Sequence, residues 1–409
     1  NIKKTLKYTA YSLLTLVVIV NLFILLSGRY YLYSGIAKTY LRGKLGPTIY
    51  DLELFPVNTI KKSKEPFHFI LEKNASIKLT KADLDYHQEM DTKAFLIFQG
   101  DTLVYEKYFD EHTQDQVSNS FSAAKSVIGM LIGIAIEEGK ITSVDDLAGK
   151  YIPEFNKNGR EKITIRHLLT MSAGFDWVES GKNPLSEAAE GYYGTDLYGL
   201  VTRLRVIDEP GVKFNYQSGN TQILGFILEK ATGKSINQYT EEKLWVPLGA
   251  RNDAFWSLDK EGGDEKAFCC MYATARDYAL LGQLLLNNGF YNGKEIVPSW
   301  YMNKMLETPS MKTKENVPNM RYGWHTWIYK NNGDPIYYCR GLMGQYMIAI
   351  PSKNRVIVRL GSKRDAHYKI PENRINDKVF RQKHDDKIGH TIDLYRYLNM
   401  SDKMVSQIR

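Results

Sequence analysis

The chain is short of cysteine. Only Cys269, Cys270 and Cys339 occur in 409 residues, and so low and odd a count excludes a disulfide framework. Cys269 and Cys270 fall in an apolar stretch and read as small buried hydrophobes. Histidine is also sparse. The 8 histidines are dispersed, and none stands with a cysteine or carboxylate at metal-ligand spacing, so no metal is expected. There is no internal repeat, no low-complexity tract and no long block of one charge. The net charge of +8 is scattered, with Lys61-Lys62 and Lys363-Arg364 as the densest pairs beyond the N-terminus. That distribution describes a solvated surface and excludes a nucleic-acid stripe.

What is present is ordinary globular composition, 43% hydrophobic and 24% charged, with chain enough for a large core. One segment departs from it. Residues 6–26 are mostly apolar and long enough to cross about 30 Å of hydrocarbon. Lys3, Lys4 and Lys7 stand at its head, and Arg29, Tyr30, Tyr31 and Tyr33 follow it. Basic residues on the leading side place the N-terminus in the cytoplasm and the remainder outside, and the tyrosines suit an interfacial belt. The apolar run is long for a cleavable signal peptide and no clear small-x-small site follows, which favours an uncleaved anchor in the lipid bilayer.

The organisation expected is an anchor over 1–29, a connector over 30–90 broken by Pro47, Pro56 and Pro66, a domain over 91–380, and a polar C-terminal segment over 381–409. Residues 94–99 and 102–109 flank Gly100-Asp101 and read as a hairpin. Helical patterns follow: one beginning at Ile163 with a glycine stop at Gly174, one from Ile223 to Thr232 closed by Gly233, and one from Asp277 to Asn288 closed by Gly289. Strand patterns return at 323–329, 336–339, 345–350 and 355–360, and Thr391 to Leu398 suits a final helix. Strands, then helices, then strands predict an α+β sandwich. Its antiparallel sheet is completed by both chain ends, with a helical subdomain inserted between them.

The segment with most chemistry is Phe121-Ser122-Ala123-Ala124-Lys125-Ser126, followed at once by an apolar helix pattern. Three residues apart on a helix, Ser122 and Lys125 share a face. A serine hydroxyl needs an adjacent base to attack a carbonyl, and a lysine can be that base once burial lowers its pKa. The same spacing recurs at Ser257-Leu258-Asp259-Lys260, in a polar stretch that reads as a turn and would not bury the lysine.

Further landmarks follow in order. They are 163–174 (Ile-Thr-Ile-Arg-His-Leu-Leu-Thr-Met-Ser-Ala-Gly), Pro210-Gly211 through Tyr216-Gln217-Ser218, Ala231-Thr232-Gly233-Lys234, Pro247-Leu248-Gly249, 271–278, and Arg340-Gly341-Leu342-Met343-Gly344-Gln345. Together with the Ser122 motif they resemble the serine β-lactamase and D-alanyl-D-alanine peptidase superfamily. The similarity is greatest to its class C-like branch of esterases and 6-aminohexanoate-dimer hydrolases, and spans about 95–360. The resemblance implies a β-lactamase/transpeptidase-like fold and a catalytic set of Ser122, Lys125 and Tyr216. It implies backbone oxyanion donors at Ser122 and Leu342, or Met343 one residue on, and substrate-binding residues Ser218, Arg340 and Gly341. No cofactor is implied. The substrate would be a small amide, ester or peptide, met on the outer face of a bacterial cytoplasmic membrane. Two departures stand out: Ser218 replaces the asparagine of Tyr-x-Asn, and Cys339-Arg340-Gly341 replaces Lys-Thr-Gly. They favour the esterase and amidase branch over a β-lactamase or D,D-peptidase acting on peptidoglycan-like substrates. The other alternative is an inactive or weakly active subunit of a membrane-protein assembly.

Overall fold

The computed structural model describes residues 2–72, 77–331 and 333–407, so the last two residues of the C-terminal segment lie outside it. Seven strands build the central sheet in the spatial order 327–331, 334–341, 345–350, 355–361, 92–99, 102–108 and 70–71. Neighbours are antiparallel except the short Ile70–Leu71 strand, which runs parallel to its partner. The two halves of the chain meet where Arg355–Gly361 pairs with Thr92–Gln99, Ile357 facing Ile97.

Alternate side chains point to opposite faces of a strand, and here both faces are covered. Leu96, Phe98, Val356, Val358 and Met347 enter the main core, with the helices Ala124–Glu137 and Ala275–Leu286. Phe95, Ile97, Ile348 and Ile357 face a second core built on the C-terminal helix Ile392–Val405 through Leu394 and Tyr397. This double covering explains why the strands read as near-continuous apolar runs.

The helix Ala124–Glu137 is buried on every side through Ala135. Its packing depends on Gly133, where an added Cβ would stand 2.3 Å from the Tyr301 ring. The Tyr301 hydroxyl donates to the Gly129 carbonyl at 2.8 Å. Elsewhere helix limits shift from the sequence pattern. The helix expected from Ile163 spans only Ile165–Leu169, because Met171 turns to a φ of 55° well before Gly174. The two later helices run Ser218–Thr232 and Ala275–Leu286, the first closed by Gly233 in the left-handed region.

Residues in the 30–90 stretch lie along the domain. Ile49, Phe55, Ile60 and Phe69 are buried in the main core, and Val57–Ile60 pairs with Ala254–Ser257. The apolar helix Ile2–Ser27 is exposed apart from the half-buried Asn21 and the buried Ile24. Beyond it, Arg29 Nη1 donates to the Leu185 carbonyl at 2.9 Å and the Tyr31 hydroxyl to the Pro184 carbonyl at 3.0 Å. Cys269 and Cys270 are buried as expected, but their sulfurs are joined to each other, a correction to the reading of both as independent apolar side chains. Cys270 takes a φ of 70° at this point. Cys339 is free and buried.

Candidate active site

Ser122 lies in the tight turn Phe121–Ala123 that leads into the buried helix. Phe121 has a φ of 47°, a region bulky residues avoid. Its neighbours enforce it. The Phe121 N–H donates to Asn119 Oδ1 at 2.8 Å, the Ser120 N–H donates to the Met271 carbonyl at 2.8 Å, and Asn119 pairs with Tyr272. A conformation held in this way by its surroundings is common at functional sites. It presents Ser122 on the wall of a cavity of about 650 Å³.

One turn along, Lys125 Nζ stands 3.0 Å from Ser122 Oγ and 2.8 Å from the Phe268 carbonyl oxygen. The lysine is 1% exposed. Burial pushes its pKa down to about 8, with Glu179 acting in the opposite direction. The Tyr216 ring flanks it, its centroid 5.2 Å from Nζ. Burial and then Glu179 raise the Tyr216 pKa, against the opposing effects of the Ser122 hydroxyl and Arg340. Tyr216 therefore holds its proton at neutral pH and can donate it. Beneath the helix, Ser126 Oγ donates to the His325 carbonyl at 2.6 Å. The His325 ring bridges Thr221 and the Leu169 carbonyl, and burial keeps it neutral with a pKa of about 3.

The strand 334–341 closes the opposite wall. Its last residue must be glycine, because a Cβ at Gly341 would stand 2.0 Å from the Ser120 carbonyl oxygen. The close approach is thus to the turn that carries Ser122. Leu342 lines the cavity; Met343 does not, and has turned to a φ of 62°. Arg340 stacks on Trp327, its Cζ 3.9 Å from the ring centroid.

Five of the residues singled out in the sequence, Ser122, Tyr216, Arg340, Gly341 and Leu342, therefore line one cavity, with Lys125 directly beneath. Ser218 is the exception. It is buried, and its hydroxyl and backbone N–H both donate to Glu179 at 2.7 Å. The Trp177 indole supplies a third donor to the same carboxylate, also at 2.7 Å. Sequence reasoning missed Glu179, and also Arg321, Arg364 and Tyr368, all on the cavity wall. No motif marks them. Trp327 and Trp177, open between core and pocket in the sequence, line the cavity, whereas Trp324 packs in the core against Tyr301. The second Ser-x-x-Lys lies at a strand end and an exposed turn. Among the described residues no cluster of three or more His, Cys, Asp or Glu could hold a metal ion.

The chain is similar to several known proteins over this region. A 6-aminohexanoate-dimer hydrolase of Paenarthrobacter ureafaciens is 27% identical over 295 residues, covering 67% of this chain and 74% of that one. A solved structure of a candidate 6-aminohexanoate-dimer hydrolase from Bacillus anthracis superposes with a TM-score of 0.69 at 25% identity, covering 77% of this chain and 87% of that one. A family VIII carboxylesterase shares the fold, with a TM-score of 0.59 at 17% identity over 79% of this chain and 95% of its own. The profile of the Beta-lactamase family matches residues 81–378. With the serine, the buried lysine and the glycine-ended strand all inside that match, the chain belongs to the beta-lactamase family, whose members are serine hydrolases.

Proposed function

We propose that this chain hydrolyses an amide or ester bond through an acyl-enzyme on Ser122. The observation that carries the reading is the 3.0 Å contact between Ser122 Oγ and the Nζ of a Lys125 that is itself 1% exposed. With a pKa of about 8, about a tenth of Lys125 is neutral at pH 7. That fraction takes the Ser122 proton as Oγ attacks the carbonyl carbon. The backbone N–H groups of Ser122 and Leu342 receive the developing oxyanion, a contribution of about 2.7–4 kcal/mol per donor in other enzymes. Tyr216, protonated, delivers a proton to the leaving nitrogen or oxygen. Water then attacks the acyl-enzyme, giving a proton to the Tyr216 phenolate, while the Lys125 ammonium returns its proton to Ser122 Oγ as the acid leaves. Gly341 lets the strand approach close enough to complete the site, Arg340 contacts the substrate, and Ser218 acts through Glu179.

We also propose that residues 6–26 anchor the chain in a bilayer with the N-terminus cytoplasmic and the catalytic domain on the outer side of the bacterial cytoplasmic membrane. Support comes from the 26-residue helix Ile2–Ser27, about 39 Å long at 1.5 Å per residue. It exposes Leu13, Leu14, Leu16, Ile19 and Leu22. The division into anchor, connector, catalytic domain and polar C-terminal segment is part of this reading.

The test is intact-mass labelling of the wild type and Ser122→Ala with a fluorophosphonate and with a labelled penicillin. A single fluorophosphonate adduct on the wild type, absent from the mutant, is expected. Adduct formation on folded Ser122→Ala, or on neither protein, would overturn the assignment. A stable penicillin adduct would move the substrate class toward peptidoglycan-like peptides.

A further inference from the structure

The cavity wall carries a second constellation that the acyl-transfer chemistry does not use. Arg321, Arg340 and Arg364 converge on Tyr368, and all four line the cavity. Arg321 Cζ lies 5.6 Å and Arg340 Cζ 5.8 Å from the Tyr368 ring centroid, and Arg364 Nη1 donates to the Tyr368 hydroxyl at 3.4 Å. Among the described residues, the arginines paired with carboxylates are others, Arg276 and Arg355 for example. Arg321 donates to the backbone carbonyls of Gly389 and Asp386. Its Nε, and Nη1 of Arg340, are buried donors with no acceptor among the described residues. Buried donors are rarely left unpaired in a folded protein, and two of them on one cavity wall mark a place built for an acceptor.

Charge points the same way. Of the acids on this wall, Asp386 is paired with Lys387 at 2.7 Å, and Glu179 is held by Ser218 and Trp177. Glu315 acts on both Lys387 and Arg321. The three guanidiniums are left with a phenol between them. Burial and then Arg340 push Arg321 down to about 10. Burial pushes Tyr368 up, but Arg340, Arg364 and Arg321 more than reverse it, to about 8. The other phenols facing the cluster, and the imidazole, stay neutral at pH 7, while Lys314 and Lys387 add positive charge on the same wall. Burial raises Tyr216, Tyr338 and Tyr346, and lowers His390 well below its ordinary value. Arg340 is also no displaced copy of the family's strand lysine. Cys339, which occupies the neighbouring position, packs in the main core on one face of the sheet, whereas Arg340 follows Tyr338 on the other.

We propose that Arg321, Arg340, Arg364 and Tyr368 form a subsite for a dianionic group of the substrate, a phosphate monoester or a pair of carboxylates. Planar guanidinium forks match the oxygens of either group, and three such charges exceed what one carboxylate balances. The proposed oxyanion donor Leu342 is two residues beyond Arg340, in the turn just past the strand end, and both line the cavity, so the anion would sit one short linker from the scissile carbonyl. Only the word substrate rests on the hydrolase reading; anion binding does not.

Binding is therefore measured on full-length Ser122→Ala, by calorimetry with inorganic phosphate, glutarate and acetate at pH 7. A dianion is expected to bind at one site at least tenfold more tightly than acetate, and whichever of phosphate and glutarate binds better identifies the source of the charge. Arg364→Gln and Arg340→Lys should each weaken that dianion tenfold or more, in protein whose melting confirms folding. Tyrosinate absorbance at 295 nm should show one early ionisation that is absent in Tyr368→Phe and moves to higher pH when the dianion is bound. No preference over acetate, or a preference untouched by both arginine variants, would overturn the subsite. Fluorophosphonate labelling of the wild type stands or falls separately.

Discussion

Ser-x-x-Lys occurs twice in this chain, and the two copies have opposite fates. Lys125 is buried one turn beyond Ser122, with its ammonium on the serine hydroxyl and on the Phe268 carbonyl. Lys260 lies exposed in the turn after the strand Ala254–Ser257. Spacing brings the two side chains together only where the backbone coils, and coiling yields a base only where the lysine is also dried. Lys266 shows that burial alone is not enough. It is fully buried, with Nζ 2.7 Å from the Tyr192 carbonyl oxygen and 3.3 Å from the Phe55 ring centroid, and its pKa is pushed well down. No serine is among its described hydrogen-bond partners.

The comparison breaks most sharply at the serine. Ser122→Ala should lower kcat/KM on a chromogenic ester by about 10⁴-fold or more, whereas Ser257→Ala, in protein of unchanged melting behaviour, should retain most activity. Next is the base. Lys125→Met should cost about 10²–10⁴-fold, and Lys260→Ala less than about twofold, since it removes only an exposed side chain.

The lysine also sets a pH profile. The reactive form of Lys125 is neutral, so wild-type kcat/KM should rise with pH and level off above about 8. A flat profile between pH 6 and 9 would sink the assignment of Lys125 as base. Stability follows with a worked sign. The folded pKa lies below the unfolded value near 10.4, so between the two the unfolded chain binds more protons and stability rises with pH. The destabilisation is fully present below about 8 and is relieved as pH climbs toward 10. Denaturant unfolding of wild type and Lys125→Met at pH 7.5 and 10 should therefore converge at the higher pH.

Two smaller effects sharpen the picture of how the site is held. Gly341→Ala forces a methyl group against the Ser120 carbonyl and should cost about 1–3 kcal/mol of stability, with a drop in kcat that exceeds any rise in KM. Ser218→Ala removes one of three donors to Glu179. It should cost about 1.5–3 kcal/mol in unfolding experiments, with a change in kcat far below that of Ser122→Ala.

Much of this was legible beforehand because it is local. The hairpin around Gly100, the apolar helix after Ser122 and the strands 345–350 and 355–361 announce themselves by periodicity and turn residues. Ser122, Lys125 and Tyr216 were legible as candidates because their motifs are contiguous. Glu179 was not, because its role comes from three donors, two of them at Ser218, 39 residues along the chain. The arginine cluster was invisible for the same reason, since Arg321, Arg340 and Arg364 share no local pattern and meet only around Tyr368. The shorter helix at Ile165–Leu169 shows the limit of a glycine stop signal, since backbone turning at Met171 ended the helix first.

By itself the sequence determined most of the elements and the pair proposed as nucleophile and base, because these depend on residue type at short spacing along one backbone conformation. The tertiary structure alone decided which lysine is dry, why Gly341 admits no side chain, and which charges share a cavity. Desolvation, steric contact and Coulomb interaction act across space, and residues far apart in the chain become neighbours only when the sheet closes on its helices.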